Sequence, residues 1–453
     1  IEPYWIWKFI ASDEYSEWIH VLGNTTINPG EGFTMKGTAG TSANNPGDNQ
    51  NYDFRGKPNT GTIDVAVLTN QFTLVGNPYP SAMDAHAYIW DTDNRNTITG
   101  TLHFWEQDPN VNSHRLVDYS GGYATYTIEE FSPFMETYTP ATFSTYDISG
   151  NINGAGSGSP SGKQPQRYLP IGQGFMVEGS ADGVVKAKNA HRAYVKETNA
   201  DSEFFKTSNT KTKVAKSDFF ATHSDYKRFR LNIDFNNTYT RQLLENFHDK
   251  ATFGFDRGLE SKIHADDILA SDAYFSNDNA TYLAEALPFD QNLKIPLSIK
   301  LAQNMPLRIR IADIRNFDSN QPIYIHDKEN DLYVNLRIQD FDMNLEAGNY
   351  NNRFEVTFNN KALSIDDNTF TDFDIVQNNT IAELKIKNPN ALDIKTFNLF
   401  DISGKRIINQ KISDVKNTYS YSTKTFSDGV YIARITLANM QGFTKKIIVN
   451  NKK

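Results

Sequence analysis

The residues able to do chemistry are numerous but poorly arranged for it. Nine histidines are spread along 453 residues. None lies in a His-Glu-x-x-His turn or in a pair at helical metal spacing, so zinc hydrolysis is not expected. Gly158-Ser159-Pro160-Ser161-Gly162 has the outline of a nucleophile elbow, but Pro160 stands where the nucleophile belongs. The overlapping run Gly154-Ala155-Gly156-Ser157-Gly158 lacks the flanking strand and helix whose backbone amides would cradle a phosphate. Asp91-Thr92-Asp93-Asn94-Arg95-Asn96 alternates oxygen ligands as a calcium loop does, yet Arg95 occupies a position that should offer oxygen. Calcium and a solvated turn are both open there, whereas Asp366-Asp367-Asn368 reads as linker. Acid pairs for glycoside hydrolysis are set by space rather than spacing, and 54 Asp and Glu make any choice of two arbitrary. The chain is therefore read as a non-enzyme with no catalytic residue, no metal ligand set and no cofactor apart from that calcium.

Aromatic side chains offer a different chemistry. All five tryptophans, Trp5, Trp7, Trp18, Trp90 and Trp105, fall in the first 105 residues among many Tyr and Asn. A sugar's apolar face stacks on an exposed ring while Asn or Asp bonds its hydroxyls, so these five are candidate glycan contacts; core packing is the alternative.

The elements that must hold these residues read almost wholly as strands. Leu307-Arg308-Ile309-Arg310-Ile311 and Phe354-Glu355-Val356-Thr357-Phe358 alternate apolar and polar side chains, as half-buried antiparallel strands with one wet face do. Turn signals recur every ten or so residues, among them Asn28-Pro29-Gly30, Gly76-Asn77-Pro78 and Ser403-Gly404, a spacing of sandwiches rather than βαβ units. Helix is expected only at 81–89, capped by Ser81, and at 265–269. A weak repeat relates Pro29-Gly30-Glu31-Gly32-Phe33 to Ile171-Gly172-Gln173-Gly174-Phe175. Its glycines suit a positive-φ turn feeding a strand that the Phe anchors in the core.

A length about three times the ~150 residues of one domain predicts several domains. Polar breaks at 199–225 and 359–368 place them at 1–198, 226–358 and 372–453, with the linker-like stretch 149–162 serving equally as a loop or a boundary. The fold class is all-β: tandem antiparallel β-sandwich domains ending in a small immunoglobulin-like sandwich of about seven short strands. Charge also divides the chain. Residues 372–453 carry 13 Lys and Arg against 7 Asp and Glu, net +6, which leaves −15 for the rest of a chain of net −9. An acidic body disfavours nucleic-acid binding. Zero cysteines exclude disulfides, Cys-ligated zinc and thiol catalysis, and suit a chain that crosses an oxidising compartment. No apolar stretch nears the ~18 residues of a membrane span, so an integral membrane protein is not expected. The start, Ile1-Glu2-Pro3-Tyr4-Trp5, carries no basic or apolar leader, from which a fragment is expected.

Four pieces of the last 82 residues carry a resemblance: Asn378 to Ile386 with Asn388-Pro389; Leu399-Phe400-Asp401-Ile402-Ser403-Gly404-Lys405-Arg406; Asp428-Gly429-Val430-Tyr431-Ile432; and Lys445-Lys446-Ile447-Ile448-Val449. In order and spacing they resemble the type A C-terminal sorting domain of type IX secretion cargo proteins of Bacteroidota, although the usual opening Pro-Asn-Pro is here Val376-Gln377-Asn378-Asn379. The body more loosely resembles flavobacterial surface proteins through residues 74–85, Gly172-Gln173-Gly174-Phe175, residues 241–244 with 254–258, and residues 348–355. The resemblance implies export across the outer membrane to the cell surface or medium, with Asp401, Gly404, Lys405, Asp428, Gly429, Tyr431, Lys445 and Lys446 as the sorting signal. It further implies as partners the translocon, its outer-membrane barrel shuttle protein and a cell-surface sortase that cuts near 359–372, so the chain is expected to be a pre-cleavage form. From the residues alone, both hairpins, at Gly404 and at Gly429, are expected to use a left-handed glycine. A glycan-binding or adhesive module and the non-catalytic part of a larger secreted enzyme are the alternatives.

Overall fold

The computed structural model describes residues 5–35, 55–108, 111, 115–156, 164–196, 202–205, 223–264, 267–277, 280–360, 373–402, 404–438 and 442–451. The elbow outline at 158–162, most of the 199–225 break, His114, residues 265–266, Ser403 and the 361–372 connection with Asp366-Asp367-Asn368 lie outside them. The chain divides into two compact units: Ile1–Phe341 with Leu345–Phe358, and Asp342–Asn344 with Asn359–Lys453.

Almost all regular structure is strand. In the first unit one seven-stranded antiparallel sheet runs in the order Ile152–Ala155, Ser144–Tyr146, Ser120–Ile128, Ile98–Gln107, Gly174–Gly179, Phe72–Gly76, with Glu136–Thr139 added on Ser120–Ile128. Alternate residues on one face, Leu102, Phe104, Tyr126, Ile128, Phe175 and Val177, are buried against Tyr88 and Ile89 of the helix Ala85–Ile89. That helix is shorter than expected. Ala82–Asp84 is a strand between Tyr168–Leu169 and Arg192–Ala193, and Asp84, not Ser81, caps the helix by accepting from the His86 amide at 2.9 Å. Arg167 then grips the same carboxylate through two bonds of 2.9 and 2.8 Å.

A second sheet of eleven strands spans 227–357. Sheets this wide must curl to enclose a core, and the row Phe229, Leu231, Ile233, Phe235 is fully buried. Its strands pair antiparallel except Tyr239–Phe247, which runs parallel to Ala280–Leu287. The alternation of Lys227–Phe235 holds, but its polar face is not wet. Arg228, Arg230, Asn232 and Asp234 are all buried: Glu136–Thr139 of the first sheet takes the two arginines, while Asn232 and Asp234 are bonded by Gln242, Thr240 and Arg310 of their own sheet. Arg228 donates to the Glu136 carbonyl and Arg230 to the Tyr138 carbonyl, both at 2.9 Å, with Arg230 stacked 4.1 Å over the Tyr138 ring. Alternation reports which face is polar, not what lies over it.

The two copies of the glycine repeat meet at a single place. Gly30 and Gly172 have φ of 87° and 74°, and the two segments flank the same strand: Gly76 donates to the Gly30 carbonyl, while Gly174 pairs with Gly76 from the other side. The anchoring differs between copies. Phe175 is buried, but Phe33 is 39% exposed.

The second unit is a small sandwich. One sheet has the order Asp374–Asn378, Glu383–Lys387, Thr418–Ser422, and the other Arg406–Lys411, Ile394–Asp401, Gly429–Leu437, Gly442–Val449. Every second residue of Gly429–Leu437, namely Tyr431, Ala433, Ile435 and Leu437, is buried in the core with Phe397, Leu399, Leu384 and Ile386.

Candidate functional site

The expected sorting residues divide into those that build the sandwich and those it displays. Asp401 closes the first hairpin: its side chain accepts from the Lys405 amide at 3.0 Å and its carbonyl from the Gly404 amide at 3.0 Å. Gly404 sits at φ 79°, where a Cβ would meet the following carbonyl. The second hairpin differs from expectation. Gly429 is absent from the left-handed residues and simply opens its strand, while the Asp428 carboxylate accepts from the Asn451 amide at 2.7 Å. Tyr431 is buried, with its hydroxyl donating to the Ser427 carbonyl at 2.9 Å. Lys445 pairs with Asp374, whereas Lys405 and Lys446 are exposed.

The two outer faces of the sandwich differ in chemistry. On the three-stranded sheet, rungs such as Asp374 opposite Lys387 and Glu383 opposite Ser422 mix both signs of charge with hydroxyls. Across the four-stranded sheet, one rung reads Arg406, Phe400, Ile432, Lys446, and the next Asn409, Asn398, Arg434, Thr444; Val430 pairs with Ile448 beyond them. No carboxylate stands at these outward positions, and Ile448 is 61% exposed.

Asparagine before proline proves structural in both units. Asn388, fully buried, donates to the Leu392 and Lys416 carbonyls at 2.9 and 2.8 Å and accepts from the Leu392 amide at 2.9 Å. Asn77 donates to the Ser81 and Leu169 carbonyls at 2.8 and 3.1 Å and accepts from the Tyr79 amide at 3.0 Å. The Asn-Pro dipeptide was the available signal, since Asn side chains mimic a backbone turn.

The tryptophans make mostly packing contacts. Trp7 stacks on His20 at 4.2 Å, and Trp18 packs on Phe9 at 5.0 Å. Trp5 is half-buried, its carbonyl taking a bond from Thr34. Trp90 donates to the Ile128 carbonyl at 2.7 Å beneath the Arg257 guanidinium. Trp105 alone of the five is exposed, 37%, bordered by Tyr123 and Tyr146 at 5.1 and 6.1 Å. In the Asp91–Asn96 loop the carboxylates face cations. Lys188 bonds Asp91 and Asp93 at 2.7 Å each, Lys186 lies 3.3 Å from Asp93, and Arg95 reaches Glu130. Those bonds hold Asp91 down at about 2 despite its partial burial.

Sequence reasoning did not find the buried carboxylates of the wide sheet. Glu245 and Glu285 sit opposite each other in the parallel pair, both buried, beside Glu260, whose oxygens accept from the Asp256 and Ala286 amides at 2.9 and 3.1 Å. Burial pushes Glu285 up to about 7 and Glu260 up to about 8, and burial with those two carboxylates beside it raises Glu245 well above its ordinary value. Among the described residues no group of three His, Asp or Glu is arranged to hold a metal ion, and no helix is long and apolar enough to cross a membrane.

The chain is a β-rich body followed by a basic sandwich in a second compact unit. Residues 378–450 match the family described as "Secretion system C-terminal sorting domain", so the protein is a type IX secretion cargo, exported across the outer membrane to the cell surface or the medium. Residues 1–358 match the family described as "Domain of unknown function (DUF8693)", and the chain belongs to that family. No curated protein matches the chain.

Proposed function

We propose that the terminal sandwich is read at the outer-membrane translocon of a Bacteroidota cell by a barrel shuttle protein after Sec export. A cell-surface sortase then cuts near 359–372 and joins the new end to anionic lipopolysaccharide. The 1–358 body travels as a passenger without catalytic chemistry of its own. The observation that carries this reading is that residues 378–450 match the sorting family and fall within the second of the two compact units. The test is expression of the full chain in a Bacteroidota host with and without a working translocon, followed by peptide mapping of the surface form. Translocon-dependent surface signal lacking peptides of 373–453 is expected. Periplasmic retention in both strains, or an uncut tail on mature cells, would overturn it.

One observation favours adhesion as the passenger's role: the exposed Trp105 ring lies against Gly121, flanked by Tyr123 and Tyr146, as a stacking platform for a sugar does. Trp105→Ala is expected to abolish retention on a glycan array while leaving the melting temperature within a degree or two. Unchanged retention, or no glycan bound by the parent chain, would remove this reading.

A further inference from the structure

We infer that the outward face of the four-stranded sheet in the sorting sandwich is the surface its carrier reads. The partner is a protein of the secretion apparatus that presents an apolar strip edged by carboxylates. The inference rests on the sorting reading above and adds which side of the domain is used.

An antiparallel sheet with one buried face ordinarily turns polar side chains to water on the other. The three-stranded sheet does so, with Asp374, Glu383, Lys385 and Lys387 on its outer face. The four-stranded sheet does not. Its outer face carries Phe400, Val430, Ile432 and Ile448 as a contiguous strip across three strands, half-buried except for Ile448 at 61% exposure. Neither core filling nor strand formation requires this, because the inward rows already bury Leu399, Tyr431, Ala433, Ile435, Ile447 and Val449. Apolar residues kept together on the outer face of a sheet mark a contact surface.

Charge limits what can sit there. Arg406 and Lys446 end the rung that contains Phe400 and Ile432, Arg434 lies on the next rung, and Lys411 pairs with Thr396 on the one after. The outward positions of these rungs thus carry cations and no carboxylate. Such a face attracts an acidic-rimmed partner and repels a second basic sandwich, which sets orientation and encounter rate as well as affinity. The displayed residues also come from three of the segments that carry the family resemblance: Phe400 and Arg406, Val430 and Ile432, Lys446 and Ile448. Their interleaved neighbours Leu399, Tyr431, Ile447 and Val449 point into the core. The same short segments thus build the sandwich with one set of alternate residues and show the strip with the other.

The experiment uses the full chain in a type IX host, with surface exposure as the readout. Four versions are compared: Arg406→Glu with Lys446→Glu, Ile448→Ser, the opposite-face control Lys385→Glu with Lys387→Glu, and deletion of 373–453. Each purified variant is melted by circular dichroism, so that export is compared only among folded chains; Ile448→Ser, at an exposed position, serves if the double reversal does not fold. The expectation is at least a tenfold loss of surface signal for both strip variants, none for the control, and complete loss for the deletion. Normal export of the folded strip variants alongside a lost deletion would overturn the strip while leaving the sorting reading intact. Loss with the charge reversal but not with Ile448→Ser would mean an anionic lipid or polysaccharide surface instead of a protein, and would also overturn it. Export of the deletion would remove the sorting reading and the strip together.

Discussion

Two strands with the same alternation, Lys227–Phe235 in the body and Gly429–Leu437 in the tail, put their second faces to opposite uses. In the body strand the polar row Arg228, Arg230, Asn232, Asp234 is buried and bonded throughout, the two arginines by the neighbouring sheet and the other two by side chains of their own. In the tail strand Val430, Ile432 and Arg434 alternate with buried residues and form part of an outer face. Buried charge of the first kind fixes how two sheets fit, since every group must find its partner or be costly. Displayed residues of the second kind add little to folding and are available for recognition. The body therefore spends its charged residues on architecture and the tail spends its aliphatic ones on contact.

That contrast breaks most readily at Arg241. Its guanidinium bonds Asp272 twice at 2.7 Å with both side chains buried, and Asp272 also accepts from the Leu269 and Ala273 amides. Arg241→Ala leaves a buried carboxylate without its cation and is expected to cost the body about 3–5 kcal/mol, read as a shifted urea midpoint. In the tail the corresponding weak point is neutral. Asn388→Ala removes three bonds inside a turn and should cost about 2–3 kcal/mol of the sandwich transition alone.

A smaller, pH-dependent effect belongs to the body only. Glu245, Glu260 and Glu285 titrate above the ordinary carboxylate range in the folded chain, Glu285 at about 7 and Glu260 at about 8, so above about pH 4.5 the native state holds more protons than the unfolded one. Their contribution is fully present below the unfolded value and is lost as pH rises through the folded values, so the body should melt lower at pH 8 than at pH 5. Glu285→Gln should flatten that slope, and an unchanged slope would show that the three groups do not titrate as a buried set. In the tail, Gly404→Ala is expected to cost about 1–2 kcal/mol for a side chain at φ 79°. Smallest of all, Lys385→Glu on the polar face should move the sandwich melt by less than about 0.5 kcal/mol.

How much of this could be read beforehand depended on range. Gly404 was legible because a hairpin's glycine is a local fact. Gly429 was not, because an Asp-Gly pair can start a strand as well as turn one. Phe33 and Phe175 occupy equal places in a repeat yet differ in burial, since what covers them comes from elsewhere in the chain. Glu355 and Thr357, on the face expected to be wet, are buried for the same reason. Of the five tryptophans only Trp105 is exposed, which their spacing did not tell. Glu245 and Glu285 lie 40 positions apart and meet through a parallel pairing that no spacing rule announces.

The strand order of the wide sheet has a consequence in time. Lys294–Leu301 cannot be flanked on both sides until Gly348–Thr357 exists, and Lys227–Phe235 waits for Met305–Arg315. Likewise Phe72–Gly76 waits for Gly174–Gly179 about a hundred residues later. A chain emerging amino end first, from a ribosome or a pore, therefore cannot finish either sheet strand by strand. Such non-local pairings make folding slow, and they keep most of the body threadable until nearly all of it has been delivered.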